Sequence, residues 1–240
     1  HVPERSQTVE AGLEQRMGSA WRFAASVYHR HDEDRLRFQD TEVRIVNDSV
    51  RLPNNPHWTN ALTGDSKGVE VTLQRKSVNG LNGWLSYANA YVYKDGVTIN
   101  DVSTRYPPNW DRRHSLNIVA NYNLSRKWEL SVLFKYGSGF PYTQANGSFE
   151  YDALGVPLKR RVIFDEINGA RYPDYHRLDL SLTRHYFHKT WQMDLFINLV
   201  NVYNRKNIFY YVWDFDVDPA QRDNVPLFPF LPSIGVSAKF

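Results

Sequence analysis

The residues best suited to bind a ligand lie in two long polar segments, residues 139–175 and 204–229, which are also rich in aromatic side chains. Aromatic side chains beside charged ones can stack on a sugar, bind a flat ligand or contact a peptide. A loop packed only on itself has the same composition. The candidate ligand contacts are Tyr142, Phe149, Tyr151, Arg160, Arg161, Tyr211 and Trp213.

The second segment also contains alternating acidic residues. Asp214, Asp216 and Asp218 are spaced like the first oxygen ligands of an EF-hand calcium loop. Such a loop requires Gly at its sixth position and Glu at its twelfth, where this chain has Pro219 and Val225. An EF-hand is therefore excluded. A solvated acidic loop is the expectation, and a looser calcium site stays open.

A pair of histidines is a second candidate metal site. His29 and His31 are predicted on one face of a strand end, beside the acidic run at residues 32–34. Two histidines at this spacing can share a metal, but the sequence supplies no third fixed ligand. His185 and His188 flank a short turn and are interpreted as interfacial polar residues. The chain has no Cys, so neither a disulfide nor a thiolate metal site is possible. We assign no metal site and expect no cofactor.

Asp111, His114 and Ser115 together supply the side chains of a hydrolase triad. Adjacent residues of a regular strand point to opposite faces, so His114 and Ser115 cannot pair as base and nucleophile. No G-x-S-x-G motif or zinc-protease motif occurs. We therefore expect no enzymatic activity.

The elements that would position these residues are β-strands, because apolar and polar residues alternate along most of the chain. The alternation predicts about nine strands, several of 10 residues or more, with residues 84–93 ambiguous between the two faces. The predicted strands centre on residues 9–13, 21–28, 69–73, 84–93, 116–122, 128–136, 178–182, 191–199 and 234–240.

The connections between these strands are of two kinds. Tight turns are expected near residues 17–19, 79–81, 124–126 and 187–189. The other connections are long, and short and long alternate along the chain, at residues 32–63, 95–109, 139–175 and 204–229. This asymmetry is typical of an outer-membrane barrel with periplasmic turns and extracellular loops.

A soluble β-sandwich and a membrane barrel both alternate in this way. Three tryptophans, Trp21, Trp128 and Trp191, each follow a short turn. This repeated placement matches the aromatic girdle of a lipid interface, and the interleaved face is strongly polar, as a barrel lumen would be. The mean hydropathy of -0.56 and the short apolar runs exclude a helical membrane protein. The net charge of +3 gives no reason to expect a nucleic-acid partner.

Several successive segments carry a family resemblance: "PERSQTVEAGLEQRMGSAWRFAASVYHR", "RYPPNWDRRHSLNIVANYNLSRKWELSVLFKYGSGFPYT", "YPDYHRLDLSLTRHYF", "MDLFINLVNVYNRKNI" and "LPSIGVSAKF". In order and spacing they resemble the later barrel segments of TonB-dependent outer-membrane receptors. The resemblance is carried most clearly by residues 111–114, 138–142, 177–180 and 198–207.

The resemblance implies a 22-stranded antiparallel transmembrane β-barrel closed by an N-terminal plug. Residues 1–240 are then expected to be the C-terminal part of such a barrel, without the plug. About nine strands also leave two unpaired edges, which lipid does not tolerate. We expect the remaining strands and the plug to come from the same or a separate chain. The TonB complex is expected to contact the N-terminal part of the receptor.

The function implied by the resemblance is TonB-energised uptake of a bulky nutrient, such as a siderophore, glycan or peptide, across a Gram-negative outer membrane. The alternative is a binding or structural barrel component that acts with a surface lipoprotein or second chain; an outer-membrane hydrolase is less favoured. Phe240 is expected to face lipid with Ile234, Val236 and Ala238, and to signal barrel assembly from a periplasmic C-terminus.

Overall fold

The computed structural model describes residues 2–38, 44–46, 49–51, 58–97, 103–153, 156–217 and 221–240. These residues form strands, turns and bends, and among them no helix is long and apolar enough to cross a membrane. The strands are β1 (Arg5–Met17), β2 (Trp21–Phe38), β3 (Arg44–Val46), β4 (Ser49–Arg51), β5 (Trp58–Val78), β6 (Leu81–Val97), β7 (Ser103–Tyr106), β8 (His114–Ser125), β9 (Trp128–Gly137), β10 (Pro141–Tyr142), β11 (Ala145–Ala153), β12 (Val156–Phe164), β13 (Ala170–Arg171), β14 (Tyr175–Phe187), β15 (Gln192–Val200), β16 (Ile208–Asp214), β17 (Gln221–Pro226) and β18 (Leu231–Lys239).

Nine of these strands form one antiparallel meander in the order β1, β2, β5, β6, β8, β9, β14, β15 and β18. The nine strands predicted from alternation are therefore confirmed. The four tight turns lie together at what we call the short-turn end of the sheet. At one of them, Asn79 and Gly80 have positive φ angles of 53° and 78°, which match the two-residue turn that a hairpin of this twist requires.

Two strands are longer than the alternation predicts. β2 and β5 stay paired well beyond the apolar part of the sheet, up to the Phe38–Trp58 pair, with register shifts after Asp32. Residues 32–38 and 58–63 of the predicted connection therefore belong to paired strands. The opposite end of the sheet, which we call the long-loop end, also carries β7 on the end of β6 and four short two-stranded sheets.

The strand register sorts the side chains onto two faces. One row of the first face runs through Ala25, Val71, Tyr87, Leu116 and Tyr136, and its neighbours are also mainly apolar. We call this face the apolar face. The ambiguous segment is resolved by the same register, because Tyr87 lies on the apolar face and its neighbours at 86 and 88 lie on the other.

The second face, which we call the polar face, is linked by side-chain hydrogen bonds between strands. Ser181 donates to Asn198 across β14 and β15 at 2.6 Å, and the Asn121 amide donates to the Asn82 side chain at 3.0 Å. His185 lies on this face, 2.8 Å from Asp194. Its interpretation as an interfacial polar residue stays a prediction.

No second layer of protein covers the apolar face among the residues that the structure describes. The chain has 16515 Å² of accessible surface, against roughly 11,000 Å² for a compact globular protein of this mass. Leu62 and Ala145 are the only buried hydrophobic residues in the part of the chain that the structure describes. Ile234 and Val236 of β18 are 71% and 62% exposed. Because such a face is unfavourable in water, the fold requires an apolar medium on this side.

The two outer strands of the meander each have one free edge. Among the described residues, β1 pairs only with β2 and β18 pairs only with β15. Nine antiparallel strands in sequence leave β1 and β18 running in the same direction. Direct antiparallel pairing of these two edges is therefore impossible.

We predict that Val71→Lys destabilises the folded protein in a bilayer by about 2 to 4 kcal/mol, because a charge at the centre of a lipid-facing strand loses its hydration. Val71 lies on the apolar face in the middle of β5, between Ala25 and Tyr87. Urea unfolding in phospholipid vesicles measures the effect. Thr72→Lys is the matched control, because Thr72 lies on the polar face beside Ala24 and Ser86. Equal losses in the two variants would contradict this assignment of faces.

Candidate functional site

A cleft of about 520 Å³ lies at the long-loop end of the sheet, where three connections meet. Its walls combine aromatic rings, a guanidinium and two amide side chains, which is the composition of a site that orients a mainly apolar ligand through a few polar groups. The cleft is lined by Asn109, Arg112, Gly139, Phe140, Pro141, Tyr142, Thr143, Asn168, Tyr172, Pro173, Tyr175, Ile208, Phe209 and Leu227.

Three tyrosines from different parts of the chain pack together at the edge of this cleft. The ring of Tyr172 lies 4.4 Å from that of Tyr142 and 5.0 Å from that of Tyr211, and Tyr142 and Tyr211 are 5.3 Å apart. Each separation is in the range of favourable aromatic pairs. Burial raises the pKa of Tyr172, so its hydroxyl stays neutral at physiological pH.

Asp111 joins the connections that build the cleft. Its side chain is completely buried, and it accepts hydrogen bonds from Arg113 Nε at 2.7 Å, from Arg171, and from the Val92 backbone at 2.9 Å. Arg171 also donates to the backbone oxygens of Asp111 and Gly139 at 3.0 Å. A buried carboxylate with two cations and a backbone donor is fully compensated. This junction therefore fixes residues 107–113 against residues 139–172.

Arg112 lies between the tyrosine cluster and the Asp111 junction, and its contacts differ from those of Arg113. Its guanidinium carbon lies 4.0 Å from the Phe140 ring centre and directly over Gly137, where a Cβ atom would come within 2.6 Å of it. Arg112 makes no hydrogen bond or ion pair with any residue that the structure describes, and its Nε is buried without a partner. Burial lowers the pKa of Arg112, yet a guanidinium stays charged in proteins. Within the described part of the chain, this cation of the cleft therefore has no counter-ion.

Buried asparagines anchor the third connection, residues 201–230. Asn207 forms a two-point bond to the His176 backbone, accepting from its nitrogen at 3.1 Å and donating to its oxygen at 2.9 Å. Asn201 is completely buried, and its amide donates to the backbone oxygens of Arg205 and Phe228 at 3.0 and 3.2 Å. The backbone oxygen of Asn207 accepts from Leu227 at 2.7 Å. These bonds hold the base of the β16–β17 hairpin beside the cleft.

The predicted contact residues fall into three groups. Tyr142 lines the cleft and Tyr211 packs on it, as described above. Trp213 lies farther along β16, where the Arg222 guanidinium lies 4.1 Å from the Tyr211 ring centre and 5.8 Å from that of Trp213.

The other four predicted contacts lie on the β11–β12 hairpin. Phe149 is opposite Arg161 in the strand register, and the residues at 150 and 151 are opposite Arg160 and Lys159. Their side chains lie outside the described part of the structure. For Phe149, Tyr151, Arg160 and Arg161, a role in ligand contact stays a prediction.

The most informative residues of the cleft, Arg112 and Tyr172, were not among the predicted contacts. Arg112 was noted only as part of a family motif, and three consecutive charged residues before a strand were the available signal. Tyr172 had no comparable signal, because its position depends on the ion pair between Asp111 and Arg171, 60 residues apart in sequence.

The structure brings the two candidate histidines to one carboxylate and places Asp32 in a different interaction. His31 lies 2.9 Å and His29 lies 3.6 Å from the same oxygen of Asp65, whereas Asp32 is held by Arg30 and Arg35. No group of three or more possible ligands with metal-binding geometry occurs among the described residues. In the acidic segment, the backbone of Asp216 donates to Asp214 at 2.8 Å, and Asp218 lies outside the described residues.

The three residues of the considered triad are also separated. Asp111 is engaged by arginines, and His114 Nδ1 lies 2.9 Å from the Tyr87 hydroxyl. His114 pairs with Asn89 on the apolar face, and Ser115 pairs with Ala88 on the polar face. His114 and Ser115 therefore lie on opposite faces of the sheet, as predicted.

Comparison with known families gives one match. The family model described as TonB dependent receptor-like, beta-barrel, matches residues 2–204. This range includes every strand of the nine-stranded meander except β18. No curated protein matches the chain at a significant level.

We predict that Asp111→Asn loosens the cleft, because it leaves two arginines facing a neutral amide in a buried position. Loss of one partner of a buried ion pair costs about 3 to 5 kcal/mol. Hydrogen exchange followed by mass spectrometry should show faster exchange in residues 107–113 and 139–172. Asp174→Asn is the control, because Asp174 is an exposed acceptor for Tyr136 and Gly139 and its loss costs about 1 kcal/mol. Unchanged hydrogen exchange in Asp111→Asn would contradict the role of Asp111 in holding these connections together.

Proposed function

The chain belongs to the family of TonB-dependent receptor-like β-barrels, and from this premise we propose that it forms the ligand-binding wall of a receptor that imports a bulky nutrient carrying an anionic group. Members of this family are receptors and transporters of the Gram-negative outer membrane. The membership also accounts for the uncovered apolar face, which a bilayer would cover.

The observation that carries the proposed ligand chemistry is the unpaired guanidinium of Arg112. Three arginines converge at this part of the molecule, and two of them, Arg113 and Arg171, form ion pairs with Asp111. Arg112 alone lines the cleft, without a carboxylate partner among the described residues. A carboxylate or phosphate on the ligand would supply Arg112 with a counter-ion through charge-assisted hydrogen bonds.

The remaining lining of the cleft supports a bulky ligand. Phe140, Tyr142, Tyr172 and Phe209 surround the space and offer ring faces to an apolar or sugar-like surface. Asn168 is held in place by a hydrogen bond from its backbone to Thr143 at 3.0 Å and from its amide to the Pro107 carbonyl at 2.8 Å. An iron chelate with carboxylates, an acidic glycan and a peptide carboxyl terminus all fit this chemistry.

The free edges support the proposal that residues 1–240 form the C-terminal part of a larger barrel. β1 and β18 run in parallel directions, so further strands in odd number would have to lie between them in an antiparallel barrel. A bilayer offers no hydrogen bonds to either free edge. A plug domain contacting the polar face, and through it the TonB complex, completes the proposed receptor.

The proposed orientation follows from the two ends of the sheet. Barrels of this class have short turns in the periplasm and long connections outside the cell. The cleft would then face the medium, where ligand first arrives, and the C-terminus would be periplasmic. A surface lipoprotein over the mouth of the barrel is compatible with this orientation.

We predict that Arg112→Gln weakens ligand binding by about tenfold or more, because a hydrogen bond to a charged group is lost. The probes are ferric citrate, a galacturonate oligosaccharide and a tripeptide with a free carboxyl terminus, each compared with a neutral analogue. Binding to cells at low temperature measures affinity. Arg126→Gln is the control, because it removes the same charge at an exposed short turn.

The same cells distinguish transport from binding alone. Accumulation of the bound probe should stop when the proton-motive force is collapsed, whereas surface binding should persist. Binding without energised accumulation would favour the alternative of a binding component. Equal binding of the neutral analogues, or full affinity in Arg112→Gln, would contradict the proposed ligand class.

We also expect deletion of Phe240 to lower the amount of protein assembled in the outer membrane. The decrease should be larger than the loss of one exposed aromatic ring would cause by itself. Phe240 is 96% exposed and continues the apolar row of Ile234, Val236 and Ala238. Folded protein is measured by heat-modifiable migration of outer-membrane fractions. Phe240→Tyr is the control, since it keeps the aromatic ring. Unchanged yield after deletion would refute the role of Phe240 as an assembly signal.

A further inference from the structure

The apolar face ends at the short turns in two pairs of the same residue types. Trp21 of β2 is the cross-strand partner of Arg75 in β5, and Trp128 of β9 is the cross-strand partner of Arg184 in β14. In both pairs the guanidinium carbon lies 5.2 Å from the tryptophan ring centre. This distance is favourable for a cation over an aromatic face.

The backbone around the two pairs is also the same. The residue after each arginine donates its N–H to the carbonyl of the residue before each tryptophan, Lys76 to Ala20 and His185 to Lys127, both at 2.8 Å. One structural unit therefore occurs twice, at separate positions of the sheet and in the same relation to a short turn.

Both arginines lack an anionic partner. Neither Arg75 nor Arg184 forms an ion pair with a carboxylate in the described part of the chain, and the Nε atom of each is buried without a hydrogen-bond partner. Trp21 and Trp128 remain 38% and 36% exposed. A partly dehydrated guanidinium gains more from an anion than one in water, because the cost of removing its hydration is already met.

The long-loop end of the apolar face has a different arrangement. Arg105 lies 4.6 Å from the Tyr93 ring centre, but carboxylate oxygens of Asp95 and Asp65 are 3.9 and 4.0 Å away. Stacking of arginine on an aromatic ring is therefore common to both ends. Among the described residues of the apolar face, the missing counter-ion distinguishes Arg75 and Arg184 at the short-turn end from Arg105.

The surroundings of the two pairs favour an anionic lipid surface. Clustered lysines and arginines beside an apolar membrane segment attract anionic headgroups. Tryptophan rings are enriched at the level of the headgroups. Exposed basic residues at or next to the short turns are Arg16, Lys76, Arg126, Lys127, Lys189 and Lys239.

We propose that the Trp21–Arg75 and Trp128–Arg184 pairs are two binding sites for the phosphate of an anionic phospholipid in the leaflet next to the short turns. The ring lies at the boundary between acyl chains and headgroups, and the guanidinium binds the phosphodiester. The proposal rests on the membrane placement of the apolar face and is independent of the ligand cleft.

The test is native mass spectrometry of the whole receptor in a non-ionic detergent, titrated with dioleoylphosphatidylglycerol. The wild type should bind more of this lipid than of dioleoylglycerol, which lacks the phosphate. Arg75→Gln and Arg184→Gln should each weaken binding at one site about fivefold, and the double variant should affect both sites. The double Arg→Lys variant should retain most of the binding, because the charge is kept.

Two controls separate this site from a general effect of charge. Arg22→Gln removes an arginine at the same strand end but on the polar face, where it pairs with Glu14 at 2.6 Å. Arg105→Gln removes the stacked arginine of the long-loop end. Both should leave lipid binding unchanged. Equal weakening in either control, or full binding in the double Gln variant that still shows heat-modifiable migration, would overturn the proposal.

Inorganic phosphate provides the last comparison. Excess phosphate should leave the lipid bound, because acyl chains contribute most of the affinity; displacement by phosphate alone would overturn a lipid as the occupant. A chain that stays in solution without detergent would contradict the membrane placement itself. Unchanged lipid binding in the variants would contradict only the assignment of the two arginines.

Discussion

The structure depends on one constraint: in a single layer of strands, the backbone groups must pair with neighbouring strands, and the apolar face must be covered from outside. In the described part of the chain no second protein layer covers the row through Val71 and Tyr87, so hydrocarbon would have to replace the core that a globular domain builds. The polar face follows from the same constraint, because each residue between two lipid-facing ones points the other way. Its hydrogen bonds, such as Ser181 to Asn198, then connect strands that share no apolar core.

This constraint explains how much the sequence could predict. The nine strands, their order and their tight turns were predictable, because alternation persists wherever one face is apolar. The signal is interrupted in β2 at the acidic residues 32–34, although the backbone pairing with β5 resumes at Arg35 and continues to Phe38. A run of charged residues there hides a strand whose backbone pairing continues on the other side of the run.

The cleft was only partly predictable for a related reason. Tyr142 and Tyr211 were identified because aromatic residues are conspicuous in polar connections. Arg112 and Tyr172 obtain their positions from the contact of Asp111 with Arg171, and no local spacing encodes a contact across 60 residues. Consecutive arginines also differ in environment: Arg113 has a carboxylate partner at 2.7 Å, whereas Arg112 has the Phe140 ring. Whether an arginine is structural or available for binding is therefore a property of the tertiary fold.

The asparagine anchors beside the cleft have a consequence for how such a receptor can diversify. Asn201 and Asn207 hold the base of the β16–β17 hairpin through backbone atoms of Arg205, Phe228 and His176. Bonds to backbone atoms place little demand on the side chains of the partners. The residues of the hairpin between the anchors can thus change in length and sequence while the register of β15 and β18 is kept.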